Sequence, residues 1–337
     1  MHDLQNQFLD DRHSMTVVDA DASAAAGPVV SAFDVAVLWL IAAVLVLSLF
    51  SLCFILHLCF KSRTSRHLRH FNSLWTVRSL LVLFIALWSL SELLRLPLLR
   101  RRLFLHRHHQ ALLCKLHVAL SLGFLEPAFL VTLLFLVDVS VKKDFINGLS
   151  SVTASVFSTC SPLLLLQILV LFFSSPRLEL LGLPYYFWSA SYSVESSGDA
   201  STVLCSYPLL STAVFGSFGV GYSVTFLFSA WRVVSMVINK ALRVRIHGLV
   251  LTVLVSLPVQ VVLLVLSVLW SPGEPAFDGV SLAVFLSKFA CAVAGEGILV
   301  IKPIADSLIV WRQFCTCPWD PWRRPPAETV ALEDGRV

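Results

Sequence analysis

Ten charged side chains stand inside otherwise apolar stretches of this sequence: Arg78, Glu92 and Arg95; Lys115 and Glu126; Arg232, which after Trp231 near the end of its stretch can snorkel to the headgroups; and Lys288, Glu296, Lys302 and Asp306. A charge at membrane depth costs about 2.5–3.5 kcal/mol on insertion scales, so such groups face the protein interior and find partners. Their chemistry is then ion pairing, contact with a charged ligand, or relay of an ion or proton. At about 100° per helical residue, Arg78, Glu92 and Arg95 fall within an arc of about 100°. Lys288 and Asp306 coincide on the same reckoning, with Lys302 about 40° to one side and Glu296 about 80° to the other, while Lys115 and Glu126 differ by about 20°. Three helices each carry one charged stripe, and these stripes are expected to meet at the centre of a bundle. Depth pairs Glu92 with Lys115 and Lys288 toward one end, and Arg78 with Asp138 and Asp306 toward the other. Glu126 and Glu296 fall near mid-depth, where two neighbouring acids would share a proton by like-charge repulsion.

Other chemistries have little to stand on. His57, His117 and His247 are scattered in depth, whereas a zinc hydrolase needs its ligands to converge at one level. His106, His108 and His109 lie among arginines, whose field disfavours a metal ion. The sequence contains no phosphate loop, HExxH or GxSxG. No enzymatic activity, cofactor or metal is expected, and the eight cysteines include no CxxC pair.

The elements that must position these side chains follow from composition. The chain is 57% hydrophobic and 14% charged with a mean hydropathy of +0.82, against roughly 45–50% and about 25% in soluble domains. A helix needs about 20 apolar residues to cross a bilayer. Runs of that kind occupy 35–60, 74–97, 111–137, 149–173, 208–238, 246–270 and 280–311. They are continuous, not alternating with period two, which excludes barrel strands. The expected fold is all-α, a polytopic bundle of seven transmembrane helices over 34–311, with an acidic tail at 1–33 and a Pro-rich tail at 312–337. The net charge of +4 sits in short clusters beside apolar runs, a membrane pattern that gives no reason to expect nucleic acid as a partner. The partner that composition implies is the lipid bilayer, of plasma membrane or endomembrane. No cleaved leader is expected, because 1–33 lacks a basic region followed by a short apolar core. Pro162, Pro258 and Pro303 each remove a hydrogen bond inside a span, and AVAGEG (292–297) permits close helix approach.

Orientation rests on Lys and Arg in the loops. With the N-terminus outside and the C-terminus cytoplasmic, thirteen lie inside and six outside, as the positive-inside rule requires. The loop RRRLFLHRHH (100–109) dissents, being basic yet outside; it reads either as a headgroup-contacting turn or as a site for an anion.

The segments HFNSLWTVRSLLVLF (70–84) and FLEPAFLVTLLFLVDV (124–139), with seven spans and a proline in each of the last two, resemble plant candidate heptahelical, G-protein-coupled-receptor-like membrane proteins. The resemblance implies a signalling receptor with a small, lipidic or peptide ligand in the outer half of the bundle, and a heterotrimeric G protein or another cytoplasmic effector. It also implies a disulfide between Cys114, at the outer tip of the third span, and Cys205, before the fifth; two unpaired thiols are the alternative. Cys315 and Cys317 follow the last span and are candidates for palmitoylation. The inner end of the third span reads Asp138, Val139, Ser140 where rhodopsin-like receptors have an acidic-Arg-aromatic triplet. The seventh reads Lys302, Pro303, Ile304, Ala305, Asp306 in place of Asn-Pro-x-x-Tyr. A small-solute or ion transporter using the charges of the second, third and seventh helices is the competing expectation.

Labelling of introduced cysteines with a membrane-impermeant reagent is expected to reach residue 20 and loop 174–207 from one side, and loop 61–73 and residue 330 from the other. Both termini reacting from one side would break the seven-span count.

Overall fold

The structure, a computed structural model, describes residues 32–64, 75–96, 107–139, 149–173, 184–194, 202–237, 240–270 and 275–306. Among them are seven helices long and apolar enough to cross a membrane. α1 is Ala32–Thr64, α2 is Trp75–Leu93, α5 is Leu209–Met236 and α6 is Lys240–Leu266. The other three contain wide, π-helical turns. α3 (107–139) joins Arg107–Leu120 to Glu126–Val139 through Ser121–Leu125; α4 (149–173) ends in Leu169–Phe173; α7 (275–306) widens at Gly297–Ile301. One element departs from a purely helical expectation. Between α4 and α5, β1 (Ser191–Val194) and β2 (Thr202–Cys205) form an antiparallel hairpin with Ser191 opposite Cys205.

The widened turns in α3 and α7 have a common cause in the sequence. Pro127 has no N–H for the carbonyl of Gly123, and its ring would collide with that carbonyl; Pro303 stands in the same relation to Leu299. In both cases the backbone relieves the clash by opening to i→i+5 spacing over the turn holding that carbonyl. Each wide turn adds about one residue, so everything beyond it is rotated by about 100° from its place on an unbroken α-helix. Pro162 and Pro258, by contrast, sit within plain α-helix.

α3 runs inside the bundle. Of its apolar window 78% is buried, against 22% in α1, and it packs on α2, α4 and α5 while α1–α2, α5–α6, α6–α7 and α7–α1 close the surrounding ring. Two glycines permit this crowding. A Cβ on Gly123 would stand 3.2 Å from the Leu164 backbone and 3.1 Å from Gln167 of α4, and one on Gly295 would stand 2.9 Å from Leu133 of α3. The core between the helices is built from Leu81, Ile85, Trp88, Leu122, Leu133, Phe215, Phe226 and Phe285, with Trp88 and Phe285 stacked at 5.9 Å. α1, α4, α5 and α6 turn large apolar side chains outward, among them Trp39, Leu165, Phe228, Trp231 and Leu251.

Candidate functional site: a buried ion cluster beneath the hairpin

Within this apolar bundle the Lys288 side chain of α7 is 1% exposed, and burying an ammonium requires compensation by opposite charge. Two carboxylates supply it. Nζ lies 2.5 Å from Glu126 Oε1 of α3 and 3.5 Å from Glu92 Oε1 of α2, with the Ser121 hydroxyl at 3.5 Å. Ser121 Oγ donates to Glu126 Oε1 at 2.6 Å, and Gln260 Nε2 of α6 donates to Oε2 at 2.5 Å. Both Glu126 oxygens are thereby satisfied, and the cluster joins α2, α3, α6 and α7. The wide turn explains the Ser121 contact: residues five apart point about 140° away from each other on an α-helix but come onto one face where the turn opens.

On the hairpin side, His117 hydrogen-bonds the Ser91 carbonyl through Nδ1 at 2.9 Å. A carbonyl only accepts, so Nδ1 carries the proton. Nε2 then faces the Tyr207 hydroxyl at 3.4 Å, with Glu92 Oε2 at 3.9 Å. Tyr207 closes the cluster: its ring centre lies 5.2 Å from Lys288 Nζ and 5.2 Å from Arg95 Cζ, cation–π distances on both sides. Arg95 also donates to the Ser281 hydroxyl of α7. Apart from His117, two acids and two bases make the group formally neutral. Tyr207 is held two residues beyond Cys205, which forms a disulfide with Cys114 at the start of α3, Cα to Cα 5.3 Å. Burial raises the Tyr207 hydroxyl above the usual phenol range, so it remains a neutral donor.

Above Tyr207 is a shallow depression with a cavity volume of about 10 Å³, lined also by Tyr186, Tyr192, Ser206, Ser267, Val268, Trp270 and Phe277. That is about the room one water needs and far below the roughly 300–1,000 Å³ of most ligand sites.

Of the residues expected to meet, Glu92, Glu126 and Lys288 do. Lys115 does not: the wide turn takes it from about 20° to about 80° from Glu126, and its Nζ lies 5.7 Å from the Phe172 ring centre of α4. Asp306 is turned about 100° from Lys288 for the same reason, and pairs with Arg245 of α6 at 2.8 Å instead of Arg78. Arg78 is half-buried, and its Nε has no hydrogen-bond partner among the described residues. Lys302 is exposed. Glu296 is buried away from Glu126, its Oε2 accepting from Ser48 of α1 at 3.0 Å, so the two acids are not a proton-sharing pair. Cys315, Cys317 and residues 97–106 of the basic loop lie outside the described residues. Sequence reasoning set His117 aside as one of three scattered histidines and missed Ser121, Tyr207 and Gln260; Pro127, directly after Glu126, was the signal for Ser121, whereas nothing local marks the others. No group of three His, Cys, Asp or Glu able to hold a metal occurs among the described residues.

A family model described as "Uncharacterised conserved protein UCP031277" matches residues 20–315. The chain belongs to that family. No curated protein matches the sequence. The family match spans all seven long helices and both partners of the disulfide.

The two acids of the cluster are unequal in distance, which sets an order of effect. Glu126→Gln is expected to lower the melting temperature of the detergent-solubilised chain more than Glu92→Gln. The first removes the closer of the two charges on Lys288, and losing one partner of a buried pair costs about 3–5 kcal/mol. Equal and negligible shifts would mean that the ammonium is solvated.

Proposed function

We propose that the chain is an integral membrane protein of receptor-like architecture, with its N-terminus outside, that binds a small, lipidic or short peptide ligand on the hairpin side of the bundle and carries out no enzymatic reaction. The observation that supports this most is the arrangement around Tyr207. A disulfide fixes the hairpin to the central helix, and a residue two positions on bridges an aromatic depression and an ion cluster shared by four helices. A ligand that moved the hairpin would act directly on the contacts holding α2, α3, α6 and α7. At the opposite end of the same helices, Arg245 and Asp306 join α6 to α7, where a heterotrimeric G protein or another cytoplasmic effector would read such a change. The plasma membrane and endomembranes both suit this reading.

A transporter is the second reading, favoured by the interrupted helices α3 and α7, each with a buried acid beside its wide turn, since broken helices carry ion sites in carriers. One experiment separates them. In proteoliposomes the receptor reading predicts no solute or proton flux above protein-free vesicles, together with a small molecule, lipid or peptide whose stabilising effect on the chain is lost in Tyr192→Ala and Trp270→Ala. A specific flux abolished by Glu126→Gln would contradict it.

A further inference from the structure

Glu296 is 0% exposed, and no Lys, Arg or His nitrogen lies within salt-bridge distance of its carboxylate among the described residues. On its own helix, Lys288 is eight residues away and committed to Glu126 and Glu92, and Lys302, six residues away or about 9 Å along the axis, is exposed. An ionised carboxylate buried without a compensating charge is strongly unfavourable. Its surroundings are oxygen-rich instead. Ser48 of α1 donates to Oε2 at 3.0 Å, Ser51 one turn further along α1 also reaches the carboxyl, and these serines are 2% and 4% exposed. Oε1 has no hydrogen-bond partner among the described residues. Each serine hydroxyl that donates to the acid keeps acceptor lone pairs, so the donor set is one carboxylate and two hydroxyls with a single negative charge.

The backbone adds a second feature. The wide turn of α7 begins at Gly297, where the place of a Cβ is open, while Leu133 of α3 packs against Gly295 on the other side, and the helical hydrogen-bond ladder is loosened next to the acid. From these observations we infer that Glu296, Ser48 and Ser51 form a binding site for a monovalent alkali cation, Na⁺ in particular, between α1 and α7. Hard oxygen donors with one net charge suit such an ion; a divalent cation would call for more carboxylates. The ion supplies the charge that no side chain supplies and ties α1 to the segment of α7 beyond the ion cluster. The site is independent of any ligand at the hairpin.

The test is thermal unfolding of the purified full chain in lipid nanodiscs, titrating NaCl against choline chloride at constant ionic strength and constant pH. A saturable rise in melting temperature of about 2–4 °C is expected with Na⁺, smaller with K⁺ and absent with choline. Glu296→Gln should abolish the dependence, and Ser48→Ala should shift its midpoint at least tenfold toward higher NaCl. Should Glu296→Gln fail to fold, Ser48→Ala and Ser51→Ala carry the test alone. A melting temperature blind to the identity of the cation, a Na⁺ effect unchanged in all three variants, or stabilisation that follows pH and ignores Na⁺ would overturn the inference.

Discussion

An ammonium buried among leucines and phenylalanines is tolerable only while its carboxylates stay beside it, and the architecture of the bundle follows from that constraint. Lys288 holds Glu126 at 2.5 Å and Glu92 at 3.5 Å, which pins α7 to α3 and α2 at one level and in one rotation. Apolar packing alone would not do this, because Leu- and Val-rich faces slide with little penalty, whereas separating a buried charge from its partner costs several kcal/mol. Gln260 and Ser121 complete the acceptor sites of Glu126 and bring α6 into the same contact. The cluster therefore selects one packing among the many that the apolar faces would allow.

Its rotation depends on two prolines. Without the wide turn before Pro127, Ser121 would point away from Glu126; without the one before Pro303, Asp306 would share the azimuth of Lys288 instead of reaching Arg245. A proline that breaks a helix locally thus sets which side chains meet a full turn away. The hairpin adds a constraint from the other side, since the Cys114–Cys205 disulfide leaves Tyr207 little choice but to lie over the cluster, between Lys288 and Arg95.

Much of this was open to inspection in the sequence, for identifiable reasons. Length and continuity of the apolar runs mark seven helices, each long and apolar enough to cross a bilayer, and the charged stripes of α2 and the first part of α7 keep their α-helical azimuths, so Glu92 and Lys288 meet as angular arithmetic requires. The same arithmetic fails for Lys115, Lys302 and Asp306, where a proline resets the phase. Tyr207 and Gln260 were illegible for a different reason: nothing near them in the chain is charged, and their place is fixed by tertiary contacts. The hairpin was missed because SYSV and TVLC are too short to stand out in a Ser- and Tyr-rich loop.

The packing of the bundle rests on Lys288 and Glu126 acting as one unit. A double-mutant cycle of Lys288→Met and Glu126→Gln, followed by reversible unfolding in mixed micelles, measures that directly. Coupling of about 2–3 kcal/mol, with the double variant more stable than the sum of the single losses allows, is the predicted result. Single losses that add to within about 0.5 kcal/mol would contradict it, and would show that the ammonium and the carboxylate are each stabilised by something other than the other.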